Sequence, residues 1–278
     1  MEPVCVCYCG NKKIFPGLLL SALSLAKYTD RPLRVLVLSM DLHELNAAYL
    51  PFSENQMRVL DEALKEKNPE SRAELVDLTD LYKETLAEGK NGRGPIYTPY
   101  TLLRLYLDVL TDVPEKVLYL DIDTMATADI AKLYDTDVSG HEFAAALDYM
   151  GRFWINKHYF NAGVLLLNIP RIRETDLFAR ARKLLNEKRL TMLDQSALNR
   201  LGREVLYLPD RFNEQRKIKE DTVVKHFCKG TDFYFIIPVS FNIKQWQRDK
   251  VHRRLKIFCF DDLYEKYDRL AEKYDLSE

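Results

Sequence analysis

The sequence predicts an α/β protein in which a mostly parallel central sheet is covered by helices on both faces. Segments with strand-like and helix-like patterns alternate along most of the 278 residues, which is the pattern of such sheets. The run 117–120 (VLYL) is apolar at every position, as in strands that are buried on both faces. Hydrophobic residues make up 47% and charged residues 30% of the chain, so we expect a folded globular protein.

The first half of the chain contains three predicted strands. Each is a short run rich in aliphatic residues, and they are "VCVCYC" (4–9), "LRVLVLSM" (33–40) and "AELVDLT" (73–79). Cys5, Cys7 and Cys9 share one face of the first strand, because side chains alternate along a strand. Thiols two residues apart on a flat strand are poorly placed to surround one zinc ion. We therefore interpret these cysteines as small buried hydrophobic residues.

Predicted helices separate these strands, and two of them have recognisable start signals. The helices are 17–28, 53–67 and 98–110. Ser53 and Gln56 have the spacing of a capping box at the start of the second helix. Thr98 followed by Pro99 predicts a cap and a first turn for the third helix. Glycine and proline indicate a loop at 88–95.

The second half of the chain continues the alternation. Its predicted strands are 117–123, "FAAALD" (143–148), "FNAGVLLLNI" (160–169) and "VVKHFC" (223–228). Its predicted helices are 173–188, 194–200 and the tail 260–275. Because no repeat or linker interrupts this pattern, we expect one domain, 1–247, with a helical C-terminal segment, 248–278, packed on or beside it.

Two carboxylates, Asp121 and Asp123, end the apolar strand 117–123. Residues two apart on a strand face the same side, and ligands of α/β sheets bind beyond the carboxyl ends of the strands. Paired carboxylates suit a hard cation such as Mg²⁺ or Mn²⁺. The pattern fits a metal site for a nucleotide-sugar diphosphate, or a phosphotransferase whose first aspartate is the nucleophile. Met125 in the last position of the pattern, and the pattern's distance from the start of the chain, disfavour the phosphotransferase.

The segment "YLDIDTM" resembles the Asp-x-Asp motif of family 8 retaining glycosyltransferases, which include bacterial lipooligosaccharide galactosyltransferases and glycogenin. Further segments resemble this family in the same order, over about residues 3–260. They are "YTLLRLYL" with Arg104, "ALD" ending at Asp148, "YFNAGVLLLN" with Asn161, "LDQSALN" with Asp194 and Gln195, and "VKHFC" with His226. Ser196 stands where the family has the last acid of Asp-Gln-Asp-x-Leu.

This resemblance implies the GT-A fold, a Rossmann-like nucleotide-diphospho-sugar transferase fold. It also implies transfer of a hexose, galactose or glucose, from a UDP-sugar to a hydroxyl of a bacterial surface glycan or glycolipid. The implied metal is Mn²⁺, with Mg²⁺ as the alternative, bound by Asp121, Asp123 and His226. The implied nucleotide-binding residues are Cys9, Asn11, Arg104, Asp121, Ile122 and Lys244. The implied catalytic residues are Gln195, Asp194, Asp148 and Asn161.

The family likeness further implies that the anomeric configuration is retained. Gln195 is placed near the anomeric carbon, and Asp148 and Asp194 are expected to orient the donor sugar. A neutral amide is a poor nucleophile, so we favour a same-face attack assisted by the leaving phosphate over a covalent intermediate on Gln195.

Two departures from the family pattern affect the nucleotide site. Ile14 stands where the family has an aromatic residue that packs on uracil. Tyr8 can take over this contact only if its ring is not part of the protein core. The Gly-x-x-Lys-Pro-Trp expected after the histidine is replaced by a later Lys-Gln-Trp that begins at Lys244, with Lys229 as the other candidate for the diphosphate. These departures leave a catalytically inactive nucleotide-sugar-binding protein as an alternative.

Charge and hydropathy exclude some partners. The 41 basic and 42 acidic residues give a net charge of −1, so we expect no nucleic-acid partner. The N-terminus resembles no targeting signal, and the longest apolar stretch is shorter than the ~20 residues that cross a membrane, so we expect a cytoplasmic protein. The basic run "RDKVHRRLK" (248–256) leaves open a peripheral contact of 248–275 with anionic lipid at the inner face of the membrane, or a solvated surface.

Overall fold

The computed structural model describes residues 2–92, 98–234 and 237–276, so part of the predicted loop 88–95 lies outside the described residues. Within them, a seven-stranded sheet has the strand order β3-β2-β1-β4-β7-β6-β8. Its strands, in chain order, are β1 (Val4–Cys9), β2 (Leu33–Ser39), β3 (Arg72–Asp77), β4 (Lys116–Leu120), β6 (Phe143–Leu147), β7 (Phe160–Asn168) and β8 (Val205–Leu208), and β5 (Thr124–Ala126) lies outside this sheet.

The predicted, mostly parallel sheet is confirmed. Strands β3, β2, β1 and β4 are parallel, and so are β6 and β8. Strand β7 is antiparallel to both of its neighbours, β4 and β6. The carboxyl ends of β1 and β4 therefore meet the beginning of β7 at one edge of the sheet. Every residue of β1 and β2 is buried, and Cys5, Cys7 and Cys9 lie in the core as expected.

Helices cover both faces of this sheet. They are α1 (Phe15–Tyr28), α2 (Glu54–Lys65), α3 (Thr79–Thr85), α4 (Ala131–Tyr134), α5 (Gly151–Trp154), α6 (Ile169–Glu174), α7 (Leu177–Glu187), α8 (Leu193–Leu201), α9 (Arg248–Lys250) and α10 (Asp261–Tyr274). Helices α1, α2 and α10 pack together in one layer, and α7 packs on α6 and α8 in another. The Ser53–Gln56 capping box at the start of α2 is formed as predicted.

Two helix predictions were wrong in detail. The helix expected over 98–110 is a 3-10 helix, Pro99–Tyr106. The Thr98 carbonyl accepts from the Thr101 amide, but the Thr98 side chain makes no cap hydrogen bond. The helix expected over 173–188 is interrupted between α6 and α7 at Asp176, which has φ 53°. Aspartate adopts this left-handed conformation more readily than most residues, so the chain changes direction there.

The late strand was only partly predicted. Strand β9 (Val224–His226) is shorter than the expected 223–228, and it pairs with β5 in a separate antiparallel sheet rather than with the central one. Two further antiparallel strands follow, β10 (Gly230–Tyr234) and β11 (Ile237–Phe241). This pair of strands was not predicted from the sequence.

The C-terminal segment packs against the rest of the chain. Short helix α9 continues into a π-helical turn, Val251–Leu255, before α10. Helix α10 is held by an ion pair between Lys27 and Asp262 (2.7 Å) and by a hydrogen bond from Tyr264 to the Gln245 carbonyl (2.7 Å). In the part of the chain that the structure describes, no helix has the length and hydropathy needed to span a membrane.

Candidate active site

A tight turn after β4 presents the two carboxylates. The Asp121 carbonyl accepts from the Thr124 amide (3.1 Å) and the Thr124 hydroxyl (2.8 Å), so the strand ends before Asp123. The Asp121 amide donates to the Gly163 carbonyl on β7 (2.7 Å), which ties the turn to the centre of the sheet. The same-face arrangement expected from strand periodicity is therefore produced by a turn.

Pairing of β5 with β9 brings a distant histidine to this turn. Thr124 is opposite His226 in the antiparallel register, and the Phe227 amide donates to the Asp123 carbonyl (2.7 Å). As a result, the Nε2 atom of His226 lies 3.1 Å from Asp123 Oδ1 and 3.7 Å from Asp121 Oδ2. The ring is almost completely buried, at 2% exposure.

A row of hydrogen bonds determines which ring nitrogen carries the proton. Asn161 donates through Nδ2 to Asp148 Oδ2 (3.0 Å), and its Oδ1 accepts from the Gly163 amide (3.0 Å). The same Oδ1 accepts from Asn213 Nδ2 (3.0 Å), which leaves Asn213 Oδ1 facing His226 Nδ1 at 3.0 Å. Because an amide oxygen can only accept, Nδ1 is the ring nitrogen that donates this hydrogen bond. The other ring nitrogen, Nε2, then faces the two carboxylates and is the one placed to bind a metal ion.

The three side chains fit a divalent cation. One oxygen of Asp121, one oxygen of Asp123 and one nitrogen of His226 lie within 4.8 Å of one another. Arg104 and Lys244 each pair with one oxygen of these carboxylates, and the atoms left facing one another are Asp121 Oδ2, Asp123 Oδ1 and His226 Nε2. Two carboxylates and one imidazole form a donor set that would hold a divalent ion such as Mn²⁺.

Arg104 balances the charge behind this group. Its Nη2 donates to Asp121 Oδ1 (3.0 Å), its Nη1 donates to the Ala162 carbonyl, and its Nε lies 3.1 Å from Asp194 Oδ2. The guanidinium also stacks on Tyr119, at 3.7 Å from the ring centre, and the Tyr119 hydroxyl donates to Asp121 Oδ1 (2.7 Å). Asp121 Oδ1 is thus fully engaged, and Asp121 Oδ2 is left to face His226.

Lys244, rather than Lys229, lies at the carboxylate pair. Its ammonium forms an ion pair with Asp123 Oδ2 and donates to the Phe227 carbonyl (3.1 Å), whereas Lys229 is exposed. Burial disfavours the charged carboxylate, but the neighbouring Lys244 and His226 outweigh it and hold the pKa of Asp123 well below its usual range. A positive charge therefore stands beside the candidate metal ligands.

The predicted sugar-side residues surround the start of β7. Asp148 Oδ1 accepts from the amides of Met150 (3.0 Å) and Gly151 (2.7 Å), which fixes the carboxylate at the start of α5. Gln195 Oε1 accepts from the Ala162 amide (3.0 Å), so the Gln195 side chain lies along β7.

Asp194 lies in the first turn of helix α8 and is buried against Arg104. Helix α8 begins at Leu193, which places the Asp194 carboxylate in the first turn, where it faces Arg104. Burial raises the pKa of Asp194 to about 6, against the opposing influence of Arg104. The carboxylate is thus an internal partner of Arg104.

The predicted nucleotide-binding residues cluster at the end of β1. Cys9 and Asn11 are buried, and within the described residues Asn11 Oδ1 has no hydrogen-bond partner, although such buried atoms are usually satisfied. Ile122 is buried beside them, and its carbonyl accepts from Gln245 Nε2 (2.6 Å). Tyr8 is fully buried, with its hydroxyl on Ser21 (2.8 Å), so it belongs to the core.

Sequence reasoning missed two residues of the site. Asn213 joins His226 to Asn161, but it stands in "DRFNEQR", where no pattern marks it. Gly163 was quoted only as part of a motif. A Cβ atom there would collide with the His226 ring and lie 2.8 Å from Asp121 Oδ2. A glycine between a polar residue and an aliphatic run is the signal that would have marked it as a point of close approach.

The sequence matches a known family over most of its length. The family model described as Glycosyl transferase family 8 matches residues 5–250. The chain is 30% identical over 154 residues to the lipopolysaccharide 1,3-galactosyltransferase of Salmonella typhimurium, covering 48% of this chain and 46% of that protein. It is 33% identical over 150 residues to the glycosyltransferase GlyA of Streptococcus pneumoniae, covering 53% of this chain and 22% of that protein. The matched region is thus about half or less of the length of these relatives.

Solved structures share the fold. The galactosyltransferase LgtC, solved in complex with donor and acceptor sugar analogs, matches with a TM-score of 0.66 and 19% identity, covering 96% of both chains. The apo form of glycosyltransferase GlyE of Streptococcus pneumoniae matches with a TM-score of 0.63 and 19% identity, covering 97% of this chain and 64% of that chain. The expected GT-A fold is thereby confirmed, and the phosphotransferase alternative finds no support among these matches. Because the family model covers most of its sequence, the protein belongs to glycosyl transferase family 8.

Proposed function

We propose that the protein is a retaining glycosyltransferase that moves a hexose, galactose or glucose, from a UDP-sugar to a hydroxyl of a glycan or glycolipid. The observation that carries this proposal is the convergence of Asp121, Asp123 and His226, with their ligand atoms within 4.8 Å of one another. The relatives named as glycosyltransferases and as a lipopolysaccharide galactosyltransferase support the same reaction class.

The charges at the site suit departure of a diphosphate. Mn²⁺ held by Asp121, Asp123 and His226 would neutralise the negative charge that develops on the leaving diphosphate. Lys244 adds a compact positive charge at the same place, because its ammonium already pairs with Asp123. Charges aimed at the leaving group stabilise the transition state more than the bound substrate, which is the requirement for catalysis.

The sugar side is formed by residues held on β7 and α8. Asp148 and Asn161 are joined by a hydrogen bond (3.0 Å), so their polar atoms are oriented before the donor binds. Gln195 is fixed to the Ala162 amide (3.0 Å) and supplies a neutral amide near the proposed position of the anomeric carbon. We propose same-face attack of the acceptor hydroxyl, with the leaving phosphate oxygen accepting the hydroxyl proton.

Release of UDP from a panel of UDP-sugars, with and without Mn²⁺, tests the proposal. We expect Mn²⁺-dependent hydrolysis of one hexose donor, and loss of that activity in Asp123→Ala. The matched control is Asp268→Ala, which removes an exposed carboxylate from α10. No UDP release, combined with protection of the fold by UDP and Mn²⁺ against thermal unfolding, would instead identify an inactive nucleotide-sugar-binding protein.

Contact with a membrane is a separate part of the proposal. Arg253 and Arg254 are exposed in the π-helical turn, and Arg248 is partly engaged by Asp268 at 3.3 Å. We propose a weak peripheral contact of 248–275 with anionic lipid. Co-sedimentation with vesicles containing phosphatidylglycerol at low salt tests it, and failure to co-sediment would remove this contact from the proposal.

A further inference from the structure

A cavity of about 600 Å³ lies beside the candidate active site. Phe227 lines one wall, and its backbone amide donates to the Asp123 carbonyl (2.7 Å) while its carbonyl accepts from Lys244 (3.1 Å). Tyr149, which follows Asp148, lines another wall. The cavity therefore borders both the metal side and the sugar side of the site. Its volume is within the range of pockets that hold small molecules, about 300–1,000 Å³.

The cavity has a strongly positive lining. Arg216, Lys217, Lys225, Arg254 and Lys256 contribute to it, and no aspartate or glutamate is among the described residues that line it. Several like charges facing one space are unfavourable in the absence of an anion. The electrostatic complement of this cavity is a group with more than one negative charge, such as a phosphate.

Lys225 is the most informative of these cations. It is 3% exposed, and its ammonium donates to the backbone carbonyls of Arg216 (2.7 Å), His226 (2.9 Å) and Glu214 (3.2 Å). Among the described residues, no carboxylate lies within ion-pair distance of it. Carbonyl groups satisfy the hydrogen-bonding capacity of the ammonium, but none of them supplies the full negative charge of an ion-pair partner.

Part of the remaining lining is apolar. Ile218, Phe227, Phe241, Ile257 and Phe258 contribute side chains, and Phe258 keeps 56% of its surface exposed. An exposed phenylalanine at the edge of a positively charged cavity provides a surface for an apolar group that continues outward. The cavity therefore combines a site for an anion with a site for a hydrophobic group.

We propose that this cavity binds the acceptor, and that the acceptor is a phosphate-bearing amphiphile. Its phosphate lies among the basic side chains, its apolar part packs against Phe227 and Phe258, and its sugar hydroxyl points toward the space between His226 and Asp148. This proposal rests on the proposed glycosyltransferase function, and it adds the chemical class of the acceptor.

Calorimetric titration with three probes tests the proposal without turnover. The probes are 1-naphthyl phosphate, neutral 1-naphthyl β-D-glucoside and inorganic phosphate. We expect naphthyl phosphate to bind at least tenfold more tightly than either of the others. Equal binding of the glucoside would overturn the requirement for an anion, and equal binding of inorganic phosphate would overturn the requirement for an apolar group.

Charge-reversal variants locate the binding. In Lys217→Glu/Lys256→Glu we expect the affinity for naphthyl phosphate to fall at least tenfold. The matched control, Lys132→Glu/Lys183→Glu, makes the same change in net charge at exposed lysines that do not line the cavity. Equal losses in both variants would show that net charge, not the cavity, governs binding, and would overturn the proposal.

The two proposals fail in different ways. Wild-type release of UDP in the absence of an acceptor measures the donor reaction alone. A protein that releases UDP but has no preference for naphthyl phosphate contradicts only the acceptor proposal. A protein that prefers naphthyl phosphate but releases no UDP contradicts the proposed function and leaves an anion-binding cavity without that reaction.

Discussion

The Nδ1 atom of His226 lies 3.0 Å from the Oδ1 atom of Asn213, a residue with 1% exposure. The direction of this hydrogen bond is set by Asn161, whose Oδ1 accepts from Asn213 Nδ2 (3.0 Å). One buried asparagine therefore connects the candidate metal ligand to the candidate sugar site. Partners of this kind orient a metal-binding histidine and fix its tautomer.

Two substitutions of Asn213 separate its two contacts. Asn213→Asp keeps an acceptor for His226 Nδ1 but loses the donor to Asn161, whereas Asn213→Leu loses both. We expect Asn213→Leu to weaken Mn²⁺ binding by roughly 10–100-fold, as for other partners of metal ligands, and Asn213→Asp to bind Mn²⁺ about as tightly as the wild type. Electron paramagnetic resonance of free Mn²⁺ measures the affinity in the absence of donor. Equal losses in both variants would contradict the assigned hydrogen-bond direction.

Lys244 pairs with Asp123, a candidate metal ligand, and we expect it to assist departure of the diphosphate. In Lys244→Met we expect Mn²⁺ alone to bind at least as tightly as in the wild type, because no ammonium occupies Asp123. We expect the rate of UDP release to fall by roughly 10²–10³-fold, the usual effect of removing one group that stabilises developing charge. Calorimetry measures the first effect and UDP-release kinetics the second. An equal fall in the rate for Lys229→Met, which alters an exposed lysine, would show that the assignment to Lys244 is wrong.

Much of the fold could be predicted from local patterns. The strands β1, β2 and β4 are continuous apolar runs, and the capping box at Ser53 has a fixed spacing, so each has a signal within a few residues. The break at Asp176 has no such signal, because a left-handed residue depends on where the two flanking helices pack. The pairing of Thr124 with His226 joins positions a hundred residues apart, and no local pattern encodes it.

The site residues that could be predicted are those whose chemistry requires a fixed spacing in the sequence. Asp121 and Asp123 form such a pair, and the family resemblance supplied the candidates Asp148, Asn161 and His226. Asn213 was not predictable, because a single amide in a polar loop can have many roles. Its role becomes visible only from its two buried partners, His226 and Asn161. The sequence favoured Lys244 and left Lys229 as the other candidate, since the fold alone decides which lysine reaches Asp123.

Gly163 provides the space in which the candidate metal ligands meet. A Cβ atom at this position would collide with the His226 ring. In Gly163→Ala we therefore expect Mn²⁺ affinity to fall at least tenfold, because His226 must move away from the carboxylates. Thermal unfolding without metal is the control, and it should show a smaller change than in Arg104→Met, since no buried charge loses its partner. Unchanged Mn²⁺ affinity would mean that the histidine is not a ligand in the position described.

Arg104 is a buried cation that compensates the charge of two carboxylates, Asp121 and Asp194. Removing one partner of a buried ion pair costs about 3–5 kcal/mol, and Arg104→Met leaves Asp121 and Asp194 without this cation. We expect a loss of that size in the free energy of unfolding at pH 8, measured by urea denaturation. In Arg104→Met/Asp194→Asn the loss should be smaller, because one of the uncompensated charges is gone.

The cost of Arg104→Met should depend on pH in a defined direction. The pKa of Asp194 in the folded protein is about 6, above the value of about 3.9 for an unfolded chain. The folded state therefore binds more protons than the unfolded state between these values, and stability falls as the pH rises through this range. Loss of Arg104 raises the folded pKa further, so the variant should continue to lose stability above pH 6, where the wild-type contribution of Asp194 is constant. The difference between variant and wild type should be larger at pH 8 than at pH 5, and an equal difference at both values would show that Arg104 does not keep Asp194 ionised.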